Sequence, residues 1–411
     1  MTIFILQLLK QNLIIIISSL ISLFVSVYFI LCFLENKNEL ESPKSSWEPL
    51  VSILVPAYNE EDIIEETIDA LSKLDYSKKE IIIVDDGSED NTLEIAEQKA
   101  KDKENIRVFT KENGGKPNAL NYGLEYCKGE LIFSLDADTI PTPGALRNMV
   151  SYFEEDGDVM AVVPTLKVKE PQNLLEKVQA VEYGITSFLR KMLSFMKSLN
   201  VTPGAPMYRK EFFEEHGGFD ENTVTEDQEM GLRIHDKGYR VEHALDSVVY
   251  TKAPDNLKGL KKQRVRWNFG KLENLVKYKH MVSRDYGNLG TFYLPTTIAS
   301  VIVPIMLLLF IGTDLLGRIY SFMQHQLLIG FDLSYQLASF FEVGLSIGVP
   351  HIILGLLIVF SVITYTLARR RVENIGFKLA YVFYLFVYIW ILAGFHFIAL
   401  VRFIFRKKPE W

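Results

Sequence analysis

The chain has 411 residues, 48% of them hydrophobic and 23% charged, with a formal net charge of -7 at pH 7. A mean hydropathy of +0.12 is high for a soluble protein, and a pI near 5.7 excludes nucleic acid as a general partner, because phosphate binding calls for a basic face. Cys32 and Cys127 are the only cysteines, which excludes a disulfide framework and any zinc spacing.

Four runs lack Asp, Glu, Lys and Arg: Asn12–Leu34, Thr291–Thr313, Val343–Ala368 and Leu379–Val401. Each is long enough to cross a hydrocarbon core of ~30 Å. The first reads as a retained anchor, since its run is long for a signal peptide and no small-residue cleavage site clearly follows Leu34. Residues 1–48 are then anchor and linker, 49–286 a charged, mixed domain, and 287–411 the remaining spans at about 291–313, 343–368 and 379–401. Arg369, Arg370, Arg371 and Lys378 mark the loop before the last span as cytoplasmic, and counting back two crossings puts the 49–286 domain in the cytoplasm too. The same count puts the basic tail Arg402, Arg406, Lys407 and Lys408 outside, against the rule, and the side of the C-terminus stays open.

Within the domain, VSILVP, EIIIVDD, NIRVFT and ELIFSLDAD alternate with helix-like segments. Strands apolar along their whole length predict an α/β fold with a mostly parallel sheet covered on both faces, and such sheets bind ligands beyond the carboxyl ends of their strands. The first strand ends in PAYNEED and the second in VDDGSEDNT. Turn and N-cap chemistry accounts for Ser88, Asp90 and Asn91, whereas the paired Asp85 and Asp86 on a buried strand end favour a polar ligand. GGKP, Gly114 to Pro117, is either an ordinary turn or an anion site in which backbone amides and Lys116 converge. In SLDADTIP, Asp136 and Asp138 are placed on one side of an extended strand, where two carboxylates repel unless a cation or shared proton lies between them. A divalent ion held also by nucleotide phosphates fits that pattern. VTEDQEMGLR reads as a helix start capped by Thr225; such a start can also hold Asp227 at a fixed angle as a general base, and position alone does not decide between the two.

Taken in order, PAYNE, VDDGS, GGKPNALNYG, DAD, GAPMYRKEFFEEHGGFD, TED and QRVRW resemble family 2 glycosyltransferases of the GT-A fold, in the membrane-embedded polysaccharide synthase branch. The likeness runs from Leu50 to Tyr286 and is greatest to poly-N-acetylglucosamine synthases, with hyaluronan and chitin-oligosaccharide synthases behind. The resemblance implies a Rossmann-like GT-A domain inserted between transmembrane helices of a multi-pass cell-membrane protein. It implies that Tyr58, Glu60, Asp85 and Asp86 line the uridine end of a UDP-sugar, that Lys116 approaches the uracil or diphosphate, and that Asp138 with Asp136 holds Mg2+ or Mn2+. Asp227 matches the catalytic base, with Glu226 beside it against substrate, while Gln263, Arg266 and Trp267 match the QxxRW motif around the diphosphate and acceptor.

The implied activity is inverting, processive transfer from a UDP-sugar, best UDP-GlcNAc, to the hydroxyl of a growing β-linked polysaccharide. Two alternatives stand beside it: single-sugar transfer to a lipid-linked acceptor, and a non-catalytic UDP-sugar-sensing scaffold. An accessory subunit is also left open. Pro171–Lys197 and about 257–283 read either as core helices or as interface helices at the bilayer surface. In KKQRVRWNFG, Lys261, Lys262 and Arg264 are expected to face lipid headgroups, and Gln263, Arg266 and Trp267 the site.

Overall fold

The computed structural model describes residues 2–329, 349–372 and 378–409. The chain divides into two compact units, Met1–Leu31 with Thr296–Leu367, and Cys32–Pro295 with Ala368–Trp411. In the larger unit β1 (Val51–Ala57), β2 (Lys79–Asp85), β3 (Ile106–Thr110), β4 (Leu131–Ser134), β5 (Ile140–Pro141), β6 (Val159–Val168), β7 (Met207–Arg209) and β8 (Arg240–Thr251) form one sheet in the order β3-β2-β1-β4-β7-β6-β8-β5. All seven residues of β1 are buried, so its unbroken apolar run reflects a strand covered on both faces. Strands β1 to β4 pair in parallel, as expected. The other half is mixed: β7 is antiparallel to β4 and β6, and β5 to β8.

Helices α2 (Ile64–Ser72), α3 (Thr92–Ala100), α4 (Lys116–Leu124) and α5 (Ala145–Glu155) follow the strand ends, and Ile64, Ile68, Leu146 and Met149 pack with Ile53, Val55, Ile81 and Ile83 in one core. The predicted 171–197 helix is α6 (Leu174–Phe195), opened by a capping box in which Asn173 accepts from Glu176 N and the Glu176 side chain accepts from Asn173 N. After α7 (Lys210–His216) come α8 (Glu226–Asp236) and α9 (Leu257–Lys277), which carry the TED and QRVRW motifs. Thr225 occupies the N-cap of α8 without the expected side-chain cap. Its Oγ1 instead accepts from Asn274 Nδ2 at 3.1 Å, so this threonine ties α8 to α9.

The smaller unit contains parts of α1 (Thr2–Asn36), α10 (Leu294–Ile329) and the helix Val349–Arg371. Among the described residues, Ser19–Asn36 and Lys378–Ile404 are long and apolar enough to cross a membrane, and Leu289–Val303 is a shorter apolar helix. The expected span 343–368 begins outside the described residues. In the C-terminal tail Lys408 Nζ donates to the Asn222 carbonyl at 3.2 Å, which sets the tail against the domain.

Candidate active site

The carboxyl ends of the strands open onto a cavity of 340 Å³. Its wall includes Lys116, Asp136, Asp138, Glu226, Asp227, Gln263, Arg266 and Trp267, so four motifs separated by up to 150 positions converge there. Strand β4 stops at Ser134, which places Asp136 and Asp138 on the turn that follows, not on the strand. Gly115, at φ 85°, caps α4 in a backbone conformation that favours glycine, and the helix starts with Lys116 over the cavity.

Lys116 organises the charges. Its Nζ lies 2.7 Å from Asp136 Oδ1 and 2.7 Å from Glu226 Oε1, so one ammonium bridges one carboxylate of each acidic pair. Burial disfavours that ammonium, but Asp136 and Glu226 outweigh it and hold the lysine protonated. Burial would also raise Glu226; Lys116 more than offsets this and keeps it ionised. The remaining member of each pair behaves differently. Asp138 is pushed up to about 6 by burial and then by Asp136, and Asp227 up to about 6 by burial and then by Glu226. Lys116, expected near the uracil or diphosphate, lines the cavity with its charge shared between Asp136 and Glu226.

Tyr58, Glu60, Asp85 and Asp86 sit at the ends of β1 and β2, outside the cavity lining. Tyr58 is exposed. Asp85 accepts from Ser88 N at 3.2 Å and Thr110 Oγ1 at 2.8 Å, and Asp86 from Lys111 Nζ at 2.8 Å, Gly114 N at 3.0 Å and Gly115 N at 2.8 Å. Both buried carboxylates therefore shape the loops that present Lys116. Glu60 is pushed up to about 7 by burial and by the charge of Asp138, so it belongs electrostatically to the Asp136–Asp138 region.

On α9 the motif divides differently from the sequence reading. Lys261 and Lys262 are exposed, but Arg264 is buried, with its guanidinium 2.7 Å from Glu182 Oε2 and stacked 4.4 Å from the Trp267 ring. Arg264 faces the cavity wall and not headgroups, because α6 supplies a carboxylate for it. Gln263 Oε1 is buried in that wall without a hydrogen-bond partner, an acceptor that a sugar hydroxyl would satisfy. Sequence reasoning missed Glu182, Thr186 and Arg190, which line the cavity from α6. Their spacing of i, i+4, i+8 is a polar stripe readable in the sequence.

Among the described residues no three His, Cys, Asp or Glu come together as a metal cage. Asp136 and Asp138 fit a divalent ion of the kind that takes one or two carboxylates and completes its shell with phosphates and water. Their oxygen donors suit that role.

The curled α/β sheet with acidic motifs beyond its strand ends defines a glycosyltransferase domain of the GT-A fold. Residues 52–217 match the family described as glycosyl transferase family 2. The chain is 33% identical over 244 residues to poly-beta-1,6-N-acetyl-D-glucosamine synthase of Staphylococcus aureus (strain MSSA476), a match covering 59% of this chain and 57% of that protein. It is 30% identical over 266 residues to the same-named synthase of Staphylococcus epidermidis, covering 62% of this chain and 65% of that one. A mannosyltransferase from Pyrobaculum calidifontis, solved with GDP-Man and Mn2+, shares the fold with a TM-score of 0.60 at 20% identity, over 96% of this chain and 99% of its own.

Proposed function

We propose that the protein transfers N-acetylglucosamine from UDP-GlcNAc to a hydroxyl of a growing β-linked polysaccharide, with inversion, from the cytoplasmic face of the cell membrane in which it is held by several helices. The observation that carries this reading is the Lys116 bridge, which leaves Asp138 and Asp227 as the two elevated carboxyls of one cavity. Perturbed pairs of this kind mark acid–base assignments. The names of the staphylococcal relatives support the choice of sugar.

In this mechanism Asp227 is ionised at neutral pH and accepts the proton of the acceptor hydroxyl. The freed oxygen attacks the anomeric carbon while UDP departs from the opposite face. Arg266 on the same wall takes up charge that grows on the diphosphate, an interaction stronger in the transition state than before it. Mg2+ or Mn2+ at Asp136 and Asp138, when bound, supplies further neutralisation of the leaving group. Trp267, held under Arg264, gives a flat apolar face for the acceptor sugar, and Gln263 Oε1 accepts from one of its hydroxyls.

The test is a screen of radiolabelled UDP-GlcNAc, UDP-Glc and UDP-GlcA with purified full-length protein and Mg2+ or Mn2+, followed by sizing of the product. A polymer from UDP-GlcNAc alone is expected. A single-sugar lipid product would replace the polymer reading, and no UDP release from any donor would favour a sensor.

A further inference from the structure

The helix Lys378–Ile404 is long and apolar enough to cross a membrane. Its contacts place it differently. Ala380 and Tyr381 are buried near its start, Tyr388 donates to Glu182 of α6 at 2.9 Å, the Phe403 ring meets Phe269 of α9 at 5.7 Å, and Lys408 just beyond reaches Asn222. At ~1.5 Å per residue the helix runs roughly 40 Å, and it touches the catalytic domain near both ends. A span that leaves the domain surface has one end far from it.

The opposite face is apolar. Leu379, Val382, Phe386, Trp390, Phe397 and Ile404 are exposed at spacings of three, four or seven, and Val387, Ile389, Val401 and Phe405 beside them widen the row into one broad apolar face. Both ends are basic: Arg369–Arg371 and Lys378 precede the stripe, and Arg402, Arg406 and Lys407 cluster at its other end. If the helix crossed, one cluster would lie on the far side against the positive-inside bias; if it starts and ends on the domain side, both clusters obey it. This also removes the conflict that the crossing count leaves at the tail.

We propose that Lys378–Ile404 is an in-plane membrane-docking helix, its apolar stripe sunk into the boundary of headgroups and acyl chains of an anionic bilayer, with its other face on α6 and α9. Because Tyr388 and Arg264 share Glu182, and Arg264 stacks on Trp267, the docked helix lies one side chain away from the cavity wall. The inference stands on contacts and charge, independently of the sugar transferred.

The test uses the full chain with Cys32→Ala and Cys127→Ala, reconstituted in sealed vesicles of phosphatidylglycerol and phosphatidylethanolamine. Single cysteines are introduced by Lys101→Cys on the domain surface, Lys378→Cys and Lys408→Cys, and labelled with a membrane-impermeant maleimide before and after detergent. All three should give the same fraction before detergent; a Lys408→Cys fraction complementary to that of Lys101→Cys means that the helix crosses and overturns the proposal. Spin labels at Leu379→Cys, Trp390→Cys and Ile404→Cys should report equal depths of about 5–10 Å. A maximum at the middle label indicates a span, and full access to an aqueous relaxant removes lipid as the occupant; either result defeats the inference. A C-terminal epitope tag on the native-cysteine chain, digested by external protease, gives the same answer without the cysteine substitutions.

Discussion

Replacing Gly270 by alanine tests whether the approach of α8 to α9 builds the site. A Cβ at Gly270 would lie 2.2 Å from Thr225 Oγ1, 2.5 Å from Thr225 Cγ2 and 2.8 Å from Thr225 Cβ, where ordinary contact begins near 3.4 Å. Helix propensity alone favours alanine by ~1 kcal/mol. The overlap decides against it, because the two helices must part by about 1 Å, and overpacking of this kind costs about 1–3 kcal/mol. Gly270 lies one turn beyond Arg266 on the same face of α9, and Thr225 is two residues before Asp227. The shift therefore falls between the proposed base and the proposed diphosphate ligand, where a misplacement of ~1 Å costs on the order of 100-fold in rate. UDP release from UDP-GlcNAc, measured in a coupled assay, should fall by about that factor in Gly270→Ala. Adding Thr225→Ala removes the two nearest atoms and should restore part of the loss. Wild-type turnover in the single variant, or a double variant no better than the single, would refute the reasoning.

The charge arrangement makes opposite predictions for two neighbours of Asp227. Since Asp227 acts ionised and is raised to about 6, kcat/KM should climb through that pH and level off above it. Glu226→Gln removes the charge that raises Asp227 and should move the acid limb to lower pH, whereas Lys116→Ala removes a charge that lowers it and should move the limb upward. A pH profile that responds to Lys116→Ala but not to Glu226→Gln would assign the limb to Asp138 instead. Lys116→Ala should also destabilise the fold in chemical denaturation by about 3 kcal/mol, the low end for an uncompensated buried ion, because Glu226 is buried while Asp136 is one-third exposed. Arg266→Ala should cost on the order of 100- to 1,000-fold in kcat, while Lys261→Ala, on the exposed face, should leave turnover within about twofold and weaken binding to anionic vesicles by ~1 kcal/mol. Equal losses in the two variants would make the stretch an anchor only.

Much of the site is legible in the chain because its chemistry sits where strands stop. The runs VSILVPA and EIIIVD announce buried parallel strands, and the acidic and glycine motifs after them must then lie along one edge of the sheet. Asp136, Asp138, Glu226, Asp227, Gln263, Arg266 and Trp267 do share one cavity. Arg264 was not assignable in this way: on α9 it lies only about 60° around the axis from Lys261, and its burial depends on Glu182, more than eighty positions earlier. The second half of the sheet is mixed because β7 inserts antiparallel between β4 and β6, a pairing of three short residues that carries no periodic signal.

The sequence by itself determined the alternation of strand and helix, the apolar segments and the identity of the acidic and basic motifs, since these follow from local composition and period. Tertiary structure alone decided which carboxylates Lys116 neutralises, and hence which two remain elevated. It also decided that the final apolar helix lies against the domain near both its ends. Hydropathy measures how well a segment tolerates lipid, but the direction it takes is set by the partners its other face finds, and those are distant in the chain.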